Sequence, residues 1–95
     1  MVVGILQIEL RLHDIHSLKG KRGQLKKIIH KLRNQFKVSI AEIHSHDTWH
    51  KAGIGIAVVG NDQSHINSCL DKILNAADKI TDAEIIDHKM EIITL

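Results

Sequence analysis

Residues 2–12 alternate between apolar and polar positions, with Val2, Leu6, Ile8, Leu10 and Leu12 on one side and Gln7, Glu9 and Arg11 on the other. A period of two is that of a strand with one buried face. The period then lengthens. Leu18, Leu25, Ile28, Ile29, Leu32 and Phe36 fall within one arc of a 3.6-residue wheel, which predicts a helix over 18–36 whose apolar arc faces a core. Ser17 stands at its start, where a hydroxyl can accept from an otherwise unpaired first-turn amide. The β-branched Val38, Ile40 and Ile43 predict a second strand from 37 to about 45. Ile54, Ile56, Val58 and Val59 predict a third over 52–60, so that the residues between close a hairpin. Asn61-Asp62 supplies a second cap, and Ile66, Cys69, Leu70, Ile73, Leu74, Ala77 and Ile80 recur at helical spacing. Thr81-Asp82-Ala83 turns the chain into a fourth strand over 84–95, with Ile86, Met90 and Ile92 on one face.

Strand-helix-strand, hairpin, helix-strand is a split β-α-β arrangement. Right-handed crossovers then place both helices on one face of an antiparallel sheet ordered 4-1-3-2, an α+β, ferredoxin-like fold. A chain of 95 residues has room for one core and is read as a single domain over 1–95. The opposite sheet face is left uncovered. It is expected to carry Val3, Ile5, Gln7 and Glu9, then Gly53, Gly55, Ala57 and Val59, and finally Lys89, Glu91 and Ile93. Small residues at its centre let another backbone approach closely, so docking of a partner or a second copy is one expectation. A mixed surface left in water is the other.

Composition narrows the chemistry more than it suggests any. Apolar residues make up 43% and charged residues 25% of the chain, which describes an ordinary folded domain and not a disordered one. Cys69 is the one cysteine, too few for an internal disulfide or a cysteine-based metal centre, and fits a reducing, cytoplasmic setting. The alternating start reads as neither a signal peptide nor a membrane span. No nucleophile elbow, glycine-rich phosphate loop or cysteine-histidine pairing is present, so no catalytic residue and no cofactor is expected. An acylphosphatase-like enzyme on this fold would need an arginine-bearing loop after strand one, where this chain has His13-Asp14-Ile15-His16.

Charge is the informative property. The chain carries a net charge of only +2, yet residues 17–37 hold Lys19, Lys21, Arg22, Lys26, Lys27, Lys31, Arg33 and Lys37 with no acid, giving this segment +8 and leaving −6 for the rest. On the wheel Lys19, Arg22, Lys26, His30 and Arg33 form a stripe beside the apolar arc, while Lys27 and Lys31 point elsewhere. Clustered cations bind polyanions by releasing counterions, without base selectivity. Structured RNA or a ribosomal particle is therefore the expected partner, met through Lys19, Lys21, Arg22, Lys26, His30 and Arg33, with Trp49 a candidate for stacking on a base. A solvated basic face is the plain alternative. Stacking on the sheet is not expected, because both central strands lack Phe, Tyr and Trp. Trp49 otherwise serves as a cap on the end of the core. His44, His46 and His50 invite a metal reading, but their spacing matches no familiar site, and exposed loop histidines are the expectation.

The assembled residues resemble a known group. Ser17-Leu18-Lys19 with Lys21-Arg22, Arg33-Asn34 with Phe36 and Val38, Ala41-Glu42, Asp47 with Trp49, and Asn61-Asp62 together resemble the YlxP-like family of uncharacterised bacterial proteins, along nearly the whole chain. The resemblance implies a ferredoxin-like fold and genes that often neighbour those of translation initiation factor two and a ribosome-binding factor. Gly20 departs from the pattern: the family commonly has Glu there, which would complete a capping box with Ser17.

Overall fold

The structure is a computed structural model describing residues 1–44, 50–80 and 82–95. Its elements run β1 (Val2–Leu12), α1 (Leu18–Phe36), β2 (Ser39–His44), β3 (Lys51–Gly60), α2 (Gln63–Asp78) and β4 (Ala83–Thr94). The four strands form one antiparallel sheet in the order β2-β3-β1-β4, with both helices on one face. The ferredoxin-like topology expected from the period changes is thus the one observed.

Between sheet and helices lies an aliphatic core in which Leu6, Ile8, Leu10 and Leu12 of β1 meet Ile54 and Ile56 of β3, Leu25, Ile28 and Leu32 of α1, and Ile66, Leu70 and Ile73 of α2. Glycine sets how closely α2 approaches. A Cβ at Gly4 would lie 2.5 Å from Ile66 Cγ2 and 3.0 Å from Leu70 Cδ1, and one at Gly60 would lie 2.8 Å from Ile66 Cδ1. Gly4 and Gly60, on the neighbouring strands β1 and β3, therefore form a recess that receives Ile66. Asp62 orients this helix, its carboxylate accepting from the His65 N–H at 3.2 Å.

Several sequence expectations shift locally. β4 does not alternate throughout: Asp87 faces Glu9, but Ile85 faces Leu10, so Ile86 is the extra residue of a bulge. One inserted residue reverses which side chains face inward. Ile85, Met90 and Ile92 accordingly pack on the core, and Ile86, assigned to that face by strict alternation, does not belong to the cluster. A second bulge lies in β2 at Ile43, which stands on the open face of the sheet, its Cγ2 2.6 Å from the position a Gly55 Cβ would take. Leu18, expected in the buried arc, is 50% exposed because it is the first residue of α1 and precedes the turn that seats on the core. Ile80 follows α2 instead of ending it, and Cys69 is half-buried against the core. Lys37, read as the start of the second strand, is the left-handed C-cap of α1 at φ 52°, ψ 48°.

Glycine substitutions separate packing from propensity. Gly4→Ala must displace Ile66 and is expected to destabilise by about 1–3 kcal/mol. Gly23 lies inside α1 with open space around a Cβ, so Gly23→Ala is expected to stabilise by about 0.5–1 kcal/mol. Urea unfolding of the two variants checks both; equal effects would disprove the recess.

Candidate nucleic-acid interface

The candidate surface is built on α1. Ser17 has extended backbone, φ −162° and ψ 164°, and its Oγ accepts from the Gly20 N–H at 3.0 Å, the cap expected of it. Lys21 N–H then donates to the Ser17 carbonyl at 3.0 Å, beginning the helical ladder. At the other end the Lys37 N–H donates to the Arg33 carbonyl at 2.8 Å, so the left-handed turn satisfies one of the last carbonyls. No acidic residue lies in the first turn. Carboxylates are the side chains that the positive end of a helix dipole favours, and this turn has Lys19, Lys21 and nearby Arg22 instead.

The nominated residues divide into three groups. Lys19, Arg22, Lys26 and His30 are exposed on the side of α1 away from the core, and His30 Nε2 lies 3.0 Å from Asn34 Nδ2. Among the described residues, none of Lys19, Arg22 and Lys26 forms an ion pair; Arg11 pairs with Glu84 at 3.6 Å on the sheet. Arg33 is exposed as well, yet its Nη2 donates to the Ile40 carbonyl at 2.7 Å. It therefore ties the end of α1 to β2 and has only its remaining donors for a ligand. Lys21 must be taken off the surface: it is 5% exposed, because it stands in the same arc as Leu25, Ile28 and Leu32. Spacing alone could have warned of this, since Leu25, Ile28 and Leu32 follow it at four, seven and eleven residues. Trp49 and His46 lie outside the described residues, as does the side chain of His44, while His50 is exposed and its carbonyl accepts from the Leu12 N–H at 2.6 Å.

What the sequence reading missed is the direction of Lys27 and Lys31. They border a groove at the junction of α1 with the end of α2, across from Lys79. No one-dimensional signal joins residues so far apart in the chain.

Two comparisons bear on what this chain is. The family model described as "Protein of unknown function (DUF503)" matches residues 3–90. The chain belongs to the DUF503 family. A relative within reach of this DUF503 chain is "Uncharacterized protein YlxP" of Bacillus subtilis (strain 168), 35% identical over 83 residues that cover 87% of this chain and 90% of the relative. The YlxP-like resemblance read from the motifs is therefore the family to which the chain belongs. Among solved structures, the designed protein Foldit4 is similar at TM-score 0.47 and 12% identity, covering 98% of each chain. The designed protein Ferredog-Diesel is similar at TM-score 0.46 and 9% identity over 94% of this chain and 83% of that one. A mutant of SnoaB, a cofactor-independent oxygenase from Streptomyces nogalater, reaches 0.45 at 7% identity over 99% and 92%. At these scores the likenesses add nothing to the topology already read from the strand order. Among the described residues no helix is long and apolar enough to cross a membrane.

Arg33 and Lys19 are expected to behave differently when neutralised. Arg33→Gln loses a charge-assisted hydrogen bond between elements and should cost about 1 kcal/mol. Lys19→Gln should change stability by less than about 0.5 kcal/mol. Thermal unfolding of both variants reads the difference.

Proposed function

We propose that this protein is a non-enzymatic accessory factor of the cytoplasm that binds structured RNA or a ribosomal particle along the outer side of α1. The observation that carries the reading is the exposure of Lys19, Arg22, Lys26, His30 and Arg33 on a helix whose own sequence holds no carboxylate. Each cation there sits in the field of the others, and Lys19 and Arg22 also oppose the positive end of the helix dipole. A phosphate backbone relieves both penalties and releases its condensed counterions. Contacts of this kind position a partner without reading its bases, which suits a folded RNA recognised by shape. Lys21 takes no direct part, and Trp49 enters as a base-stacking candidate on its residue type alone.

The test is binding to ribosomal RNA across a salt series. Lys19→Glu/Arg22→Glu/Lys26→Glu should weaken binding and make the slope of log affinity against log salt shallower by about two to three. Unchanged affinity and slope would remove the reading.

A second reading rests on the open sheet face, where Val59 is 65% exposed, Ile43 40% and Ile93 37%. It takes the protein as an interaction module that forms a homodimer through that face, with α1 merely solvated. Sedimentation equilibrium decides: this reading requires a concentration-dependent dimer that Val59→Glu dissociates, and a monomer at all concentrations excludes it.

A further inference from the structure

Lys27 and Lys31 of α1 and Lys79, which caps the end of α2, come together around one groove of about 220 Å³, with Ile28 and Ile80 among its lining residues. Ile28 is 2% exposed and Ile80 half-buried, so this part of the lining is apolar, and Gln24 adds a neutral amide. Asp82 also lines the groove, leaving the formal charge of its ionisable groups at +2. Lys27 and Lys31 stand four apart on one helical face, a mutually unfavourable like-charge pair. Neither has a carboxylate three or four residues away, since those positions are Gly23, Gln24, His30, Ile28, Asn34 and Gln35 besides the two lysines themselves. Lys79 is accounted for in part by its place at the negative end of α2, where a cation is favoured. The same helix end lies beside Lys27 and Lys31 in this groove, and its charge, equivalent to about half a negative unit, together with Asp82 offsets only part of the three cations.

We infer that this groove is a binding site for a phosphate group, held by Lys27 and Lys31 of α1 and by Lys79, the residue that caps α2. A liquid-like water occupies about 30 Å³, so the groove accommodates a phosphate in place of several waters. Lysine acts on phosphate as a compact point charge, and three such charges from two elements converge on a tetrahedral anion without needing a planar fork. The site deepens the polyanion reading, because it lies around the helix from Lys19, Arg22 and Lys26 and would let a backbone continue from α1 toward α2. Its existence as a phosphate site does not depend on that reading.

Titration of inorganic pyrophosphate into the labelled full chain, followed by amide shifts, tests it. Shifts are expected at 27, 31, 79, 80 and 82 in preference to 17–22. Lys31→Gln/Lys79→Gln should weaken the binding about tenfold, Asp82→Asn should tighten it, and Lys72→Gln on the exposed side of α2 should leave it unchanged. Shifts confined to 17–22, or equal affinity in the double variant, would overturn the site. Ribosomal RNA assigns the source of the phosphate: with a backbone phosphate in the groove the double variant makes the salt slope shallower by about one to two. An unchanged slope, with pyrophosphate binding intact, makes the site one for a free phosphorylated compound. Failure of the Lys19, Arg22 and Lys26 variant to alter RNA binding is read separately, since pyrophosphate in the groove meets none of those three.

Discussion

The close seating of Ile66 against Gly4 and Gly60 is the contact on which the arrangement of the helical layer turns. Without a Cβ at either glycine, α2 lies one methyl group nearer the sheet than side chains would allow, and Leu70 and Ile73 follow it into the core. Burial of this kind is worth about 1.5–3 kcal/mol for each large aliphatic side chain, far more than the intrinsic propensity of either helix. Once α2 is set, α1 takes the rest of the same face, over β2 and against α2. Three surfaces of distinct character are left among the described residues: the outer side of α1, the groove beside the end of α2, and the uncovered face of the sheet.

The uncovered face shows how far periodicity carries. Alternation in β1 survives intact because β1 is the central strand, paired on both sides, and any slip would exchange its whole core set for Gln7, Glu9 and Arg11. At the edges that penalty is smaller, and both edge strands carry a bulge, at Ile43 in β2 and Ile86 in β4. A bulge leaves no mark in hydrophobic pattern when the extra residue is itself apolar, as in the Ile85-Ile86 pair. The assignment of Ile86 to the core followed from the pattern and was still incorrect. Gly55 is the one hint available beforehand, since a glycine inside a strand often marks a close approach, here by Ile43.

Legibility of the candidate interface follows the same division between local and long-range facts. The absence of acids over 17–37 and the cap at Ser17 are local, and they were readable. The burial of Lys21 was readable too, from its spacing to Leu25, Ile28 and Leu32, but charge alone argues against it, because lysine is seldom buried and its exposure is the natural assumption. The engagement of Arg33 with the Ile40 carbonyl depends on where β2 passes, and the meeting of Lys27 and Lys31 with Lys79 depends on how α2 ends. Neither can be drawn from one helix considered alone.

α1 itself is a poor helix by local criteria. It has an interior glycine, Gly23, costing about 1 kcal/mol relative to alanine, a second glycine, Gly20, in its first turn, and cations where its dipole favours carboxylates. It also lacks the glutamate that would complete its capping box, having Gly20 there. What holds it is the burial of Leu25, Ile28 and Leu32, all of which lie beyond the first turn. The first turn contributes little apolar burial, Lys21 being its one buried side chain, and is also a concentrated part of the helix's charge. An anion bound there removes repulsion and supplies the negative charge that the turn lacks, so binding energy and helix stability are coupled through the same few residues. A sequence selected for the stability of this helix alone would place Glu where Gly20 stands, three residues after the Ser17 cap. Gly20 and Lys19 leave that first turn without the carboxylate its dipole favours, so its positive charge must be balanced from outside the helix, by solvent ions or by a bound anion.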